Sequence, residues 1–319
     1  MNDRYNITLG FYEPSVFHLH TRGAGRLSDL QNWETQQAST FLHEYIHFLQ
    51  DIMTPKGLQN IYIIGEYLRL VTKTVKENDY KVSRPIIPYF TGYNVGNNWM
   101  VSYYTQGEID NKAQNYITLK KDLSKQIIDD VTGQKIDIGR IIISCKCSDG
   151  SIKDYCFGTI QIMEGMAKMI QDSVYPPSRR RSPYNPYYIS IDLANDIMPG
   201  LGNNNLAMIA IFDYALQSTN PGWAFVNYIE EKKLQGYNAT TLSHDIVYND
   251  MASAVVQSHT LGVTTLKSGY EDMMKQAQGV FNDYVGGVWI FKNQAVWYNS
   301  LLEWGKIIRE KGIQLESLA

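Results

Sequence analysis

The chain is short of cysteine, with three in 319 residues. A small, odd number argues against a disulfide framework and fits a reducing compartment. Charge is also sparse: 19% of residues are Asp, Glu, Lys or Arg, against 44% apolar, and the net charge is −3. That balance gives no electrostatic case for nucleic acid or an anionic membrane surface. The one basic run, Arg179-Arg180-Arg181, lies in a Pro/Tyr/Ser-rich stretch and reads as a solvated loop. No window holds about 18 uninterrupted apolar residues, so no spanning helix is expected. The first residues, Met1 to Asn6, show no basic segment followed by an apolar one, so no signal peptide is expected and the chain reads as cytoplasmic. Repeats and low-complexity tracts are absent as well.

What the sequence does contain is His43-Glu44-Tyr45-Ile46-His47. Residues four apart on a helix share a face, so both imidazoles can reach one metal ion. Glu44 projects beside that ion, where a general base must stand to take a proton from water. From the composition this H-E-x-x-H pattern is expected by chance roughly 0.005 times. Phe41, Leu42, Tyr45, Ile46, Phe48 and Leu49 surround it, which predicts a helix buried nearly all round. Two His and a Glu inside such a helix are costly without partners, and a metal supplies them.

Patterning predicts an α+β, predominantly α-helical fold. Residues 5–21 alternate about a Glu13-Pro14-Ser15 turn and predict a short hairpin, with His18 and His20 on one face as surface histidines. Ser28 or Asp29 is the expected cap of the motif helix, which should end near Asp51 to Met53 at the turn Thr54-Pro55-Lys56-Gly57. A second helix is expected from Leu58 to Lys76, its apolar face made by Ile61, Ile64, Leu68, Val71 and Val75. Asn78 to Asn115 is rich in Pro, Gly, Tyr and Asn and reads as irregular and substrate-facing. Residues 116–130 predict a helix.

Ile141 to Cys147 and Ile152 to Phe157 flank Asp149-Gly150, a hairpin signal. A two-residue turn there places Cys145, Cys147 and Cys156 on one face as small buried hydrophobes. Helices are expected from Gly158 to Val174, then over Ile189 to Met198, Asn205 to Gln217, Trp223 to Lys233, Ser243 to Ser258, Tyr270 to Tyr284 and Asn293 to Lys311. The expected division is a metal-binding region over 1–175 and a helical region over 176–319, packed as one unit.

A catalytic zinc site usually takes three protein ligands and leaves a position for water. The extension H-E-x-x-H-x-x-G-x-x-H is absent, so the third ligand must be remote. Glu66, nineteen residues beyond His47, is one candidate. It shares a helix face with Gln59, Arg69, Lys73 and Glu77, the pattern of a solvated, charge-paired surface. Glu164 is the other, and the favoured one. It is a lone acid among Ile160, Ile162, Met163, Met166, Met169 and Ile170, beside the small Gly165 and Ala167.

His43-Glu44-Tyr45-Ile46-His47 together with Glu164-Gly165-Met166-Ala167 resembles the zincin metallopeptidases, and among them the gluzincins. In these a Glu-Gly-x-Ala helix commonly donates the third zinc ligand. The resemblance covers under a tenth of the chain. It implies a zincin-like core, Zn²⁺ held by His43, His47 and Glu164, Glu44 as general base, and a peptide or protein substrate. Thermolysin-like members carry an Asp four residues after the ligand Glu, where Lys168 stands here. Asp51 is then the substitute for orienting a ligand histidine, and His244, His259 or a Tyr would stabilise the oxyanion. The rival reading is a zincin-like metal-binding scaffold that holds a partner without cutting it.

Overall fold

The computed structural model describes residues 10–13, 17–21, 26–79, 81, 102–122, 128–129, 135–136, 138–175, 182–258, 262–285 and 292–311. The amino-terminal hairpin forms as expected. Strands β1 (Gly10–Glu13) and β2 (His18–Thr21) pair antiparallel, Phe11 opposite His20. The motif helix α1 spans Thr35–Met53. Ser28 and Asp29 do not cap it; they lie in a separate 3-10 stretch, Leu27–Asn32, and Glu34 stands at the cap position without a side-chain bond.

Helix α2 runs over Pro55–Glu77, starting three residues earlier than expected. The reason is local. Thr54 is held extended ahead of Pro55, its Oγ1 accepts the Gly57 N–H at 3.0 Å, and Pro55 fits the first helical turn because it has no N–H to satisfy. A single capping residue thus replaces the expected turn. A Cβ on Gly57 would lie 2.3 Å from the Asp51 Cα, so glycine is what lets the two helices fold back this tightly.

Residues 116–130 are a correction. Instead of a helix, β3 (Ala113–Asp122) forms and pairs antiparallel with β6 (Arg140–Cys147). Tyr116, Ile117 and Thr118 suit a pleated surface better than a helix. Short β4 (Ile128–Asp129) and β5 (Lys135–Ile136) pair between them. The sheet order is β3-β6-β7, with β7 at Ile152–Phe157.

The hairpin register is a second correction. Ile142 pairs with Cys156 and Cys145 with Lys153. The turn holds three residues rather than two: the Gly150 N–H reaches the Cys147 carbonyl at 2.9 Å and Gly150 takes φ +82°. A one-residue slip reverses the faces. Cys145 and Cys147 lie buried with Ile141 and Ile143, while Cys156 faces the other side.

Helix α3 (Thr159–Val174) follows, then the short α4 (Tyr184–Tyr187), α5 (Ile189–Ile197), α6 (Asn205–Leu216), α7 (Pro221–Leu234), α8 (His244–Ser253), α9 (Leu266–Val285) and α10 (Lys292–Glu310). The helix expected to reach Ser258 ends at Ser253, because Val255–Ser258 pairs as β8 with β9 (Gly262–Thr265). The described residues are thus mostly helical with small antiparallel sheets. One apolar cluster joins Ile46 of α1, Phe157 of β7, Met166 of α3, Phe212 of α6, Phe281 of α9 and Leu302 of α10. Each such side chain contributes about 1.5–3 kcal/mol on burial. No helix among the described residues is long and apolar enough to cross a membrane.

Candidate metal centre

The carboxyl half of α1, Ile46 to Met53, is buried throughout. Its last carbonyls lack intrahelical donors, and distant side chains supply them. Tyr270 Oη donates to the Ile52 carbonyl at 2.9 Å, and Arg309 Nε to that of Met53 at 2.8 Å. Arg309 is itself held by the fully buried Asp213. A Cβ on Gly305 would lie 2.3 Å from the Ile52 carbonyl oxygen, so α10 meets α1 backbone to backbone. The motif helix is therefore fixed at its carboxyl end before its histidines are considered.

Helix α3 brings the third residue. Its amino end is anchored where Thr159 Oγ1 donates to the Thr105 carbonyl at 3.0 Å and Gln161 Oε1 accepts the Gly158 N–H at 2.9 Å. Gly165 allows close approach to Ser190 of α5 and Phe212 of α6. Glu164, one residue earlier, reaches the histidines of α1. Its Oε2 lies 3.1 Å from His43 Nε2 and 3.4 Å from His47 Nε2, and the two Nε2 atoms are 3.2 Å apart. His43, His47 and Glu164 are close enough to hold one metal ion.

The donor set fits such an ion. Two ring nitrogens 3.2 Å apart cannot both carry hydrogens, so at least one lone pair faces the other residues of the cluster. Ligand bonds of about 2.0–2.2 Å in a tetrahedron put donors roughly 3.3–3.6 Å apart, close to the spacings observed. The electrostatics of the cluster favour positive charge there, which a proton supplies when no metal does. Burial opposes ionisation of Glu164, but His47 and His43 hold its carboxyl well below the usual range. Burial opposes the His47 cation too, yet Glu164, Glu44 and Gln50 push its pKa up to about 9.

Gln50 orients the cluster. Its Oε1 faces His47 Nδ1 at 2.8 Å, and its Nε2 donates to the Met163 carbonyl at 3.0 Å. The amide oxygen can only accept, so Nδ1 carries a hydrogen and Nε2 is the nitrogen whose lone pair a metal would take. Asp51, expected in this role, does not make the contact. Lys168 pairs with Asp172.

Glu44 lies beside the triad, 9% exposed. Burial raises its pKa; the two histidines and the Tyr12 main-chain N–H work the other way. Gly10 makes this fit possible, since a Cβ there would lie 2.6 Å from Thr40 Cγ2 and 3.4 Å from Glu44 Cγ. Tyr187 completes the surroundings. Its ring meets His43 edge-on at 5.7 Å and its hydroxyl faces Glu164. Burial and the Glu164 and Glu44 charges push the phenol far up, so it stays a neutral donor.

His43, Glu44, His47, Glu164 and Tyr187 line one cleft of about 580 Å³, walled by β1, α1, α2, residues 102–106, α3 and Tyr187. Glu66 is elsewhere, in a two-pronged pair with Arg69 at 2.8 and 3.1 Å. His18 and His20 are exposed on β2, His20 stacked on Phe11 at 5.0 Å. His244 opens α8 against Asp245 at 3.5 Å and does not line the cleft. His259 lies outside the described residues, as does Arg179 to Arg181. Gln50, three residues after a ligand histidine on a buried face, could have been found from the sequence; Tyr187, in a Pro/Tyr-rich stretch, offered no spacing signal.

The chain matches no family model, no curated protein and no solved structure.

Proposed function

We propose that the chain is a zinc-dependent peptidase of zincin-like build. The observation that carries this is the meeting of Glu164 Oε2 with both Nε2 atoms, while Glu44 faces the same cleft from beside the triad. Two His and one Glu form a donor set of catalytic zinc sites. Bound zinc would supply Lewis acidity toward a water and toward the scissile carbonyl.

The chain's own groups do the rest. Glu44, its pKa raised by burial, takes the proton from the attacking water and passes it to the leaving amine. Tyr187 offers its hydroxyl to the oxygen on which charge develops. Gln50 holds His47 in the tautomer that leaves Nε2 free. The Tyr12 N–H keeps Glu44 aimed into the cleft.

The test is a peptide-library digest with the zinc-loaded protein, with and without a chelator. Cleavage that the chelator abolishes and added zinc restores supports the reading. A zinc-loaded protein that binds library peptides and cuts none of them points instead to the scaffold.

A further inference from the structure

Asp51 has no part in the chemistry described above. It stands one turn beyond His47 on α1, so helical spacing turns it to the side that carries His43 and His47. It lines the same cleft and is 2% exposed. No ion pair to Asp51 forms among the described residues. Tyr12 faces it from β1 with a buried hydroxyl that lacks a well-formed hydrogen bond. Asn60 and Ser102 line the cleft as well.

The charges in the lining do not balance. It contains Glu44, Asp51 and Glu164 but no Lys or Arg. Glu44 and Glu164 are answered by the histidines and by the ion they would hold. Lys56, the nearest lysine in sequence, points to Gln59 at 2.9 Å and Ser102 at 3.3 Å. Asp51 is left as a buried acid in a cleft wall with no Lys or Arg beside it. A buried charge is costly unless paired. A buried aspartate at a pocket base is also how one class of serine peptidases selects basic residues.

We propose that Asp51 and Tyr12 form a subsite for the cationic side chain, lysine or arginine, of a residue flanking the bond that is cut. The reach is suitable. One helical turn advances about 5.4 Å, and an extended peptide about 3.3 Å per residue. A peptide lying along α1 with its scissile bond at the histidines therefore brings a neighbouring side chain to Asp51. That placement rests on the peptidase reading; the subsite's preference for a cation can be measured without turnover.

The experiment uses zinc-loaded Glu44→Gln protein and calorimetry. The probes are alanine pentapeptides, capped at both ends, with arginine at each position in turn, and the same set with neutral citrulline. Capping removes the terminal ammonium as a rival source of charge. At one position arginine should bind at least about tenfold tighter than citrulline. Asp51→Asn should abolish that ratio and Asp51→Glu should keep it. Equal binding of the two sets overturns the proposal, as does a ratio that survives Asp51→Asn, or tight binding of an uncapped alanine peptide with no gain from arginine. The wild-type side chain at position 51 already decides the first comparison, so misfolding of a variant does not blur it. Failure of the digest with the arginine ratio intact would count against the peptidase reading alone.

Discussion

His43 and Glu164 stand 121 positions apart and meet at 3.1 Å between Nε2 and Oε2. The amide of Gln50 spans the same gap, with His47 on one end and the Met163 carbonyl on the other. It fixes a tautomer and ties α1 to α3 in one side chain.

Removing that amide should loosen the metal. Gln50→Ala is expected to weaken zinc affinity about 10–100-fold, as loss of a ligand's orienting partner typically does. Gln50→Glu, which keeps an acceptor for Nδ1, should lose less. Competition with a chromophoric chelator measures both. Unchanged affinity in Gln50→Ala would show that the orienting contact is idle.

Glu44→Gln separates binding from chemistry. The amide cannot accept the proton, so hydrolysis should fall by about 10²–10⁴ or more, with zinc content unchanged because Glu44 is outside the triad. Metal analysis and a fluorogenic peptide assay read the two quantities. Wild-type turnover in this variant would place the base elsewhere.

Two buried groups outside the triad give stability a pH signature. Burial pushes the Asp51 carboxyl from 3.8 up to about 7 and the Lys56 ammonium from 10.5 down to about 7. Between pH 4 and 7 the unfolded chain has released the Asp51 proton and the native chain holds it, so this group lowers stability as pH rises. Between pH 7 and 10.5 the unfolded chain holds the Lys56 proton and the native chain does not, so this group raises stability as pH rises. Each limb amounts to at most roughly 4–5 kcal/mol. In chelated protein, the advantage of Asp51→Asn over wild type should grow from pH 4 to 7. That of Lys56→Gln should be full below pH 7 and fade toward 10.5. Denaturant melts across pH measure this, and curves parallel to wild type would contradict it.

Gly305→Ala tests the backbone contact between α10 and α1. The added Cβ meets the Ile52 carbonyl, which cannot rotate away. A loss of about 1–3 kcal/mol is expected from overpacking, visible as a lower Tm. An unchanged Tm would mean that α10 shifts freely.

Legibility in the sequence followed the range of the forces. The motif helix, α3 and most of the later helices could be read because apolar period and Gly/Pro punctuation are local. Glu164 could be read because a lone acid among Ile160, Met163 and Met166 demands a partner. The hairpin faces could not. Asp149-Gly150 permits two turn lengths, and one residue decides where Cys156 points. Residues 116–130 failed for a similar reason: β3 is made by pairing with β6, whose partners lie 18 to 34 positions on, which no local period reveals. Tyr187 reaches His43 through tertiary packing alone.

Zinc stoichiometry across variants tests the central claim most directly. Plasma mass spectrometry on dialysed protein should find about one zinc per chain in wild type and in Glu66→Ala, and next to none in Glu164→Ala. A wild-type protein that retains no transition metal, or a Glu164→Ala variant that keeps its zinc while Glu66→Ala loses it, would contradict the account.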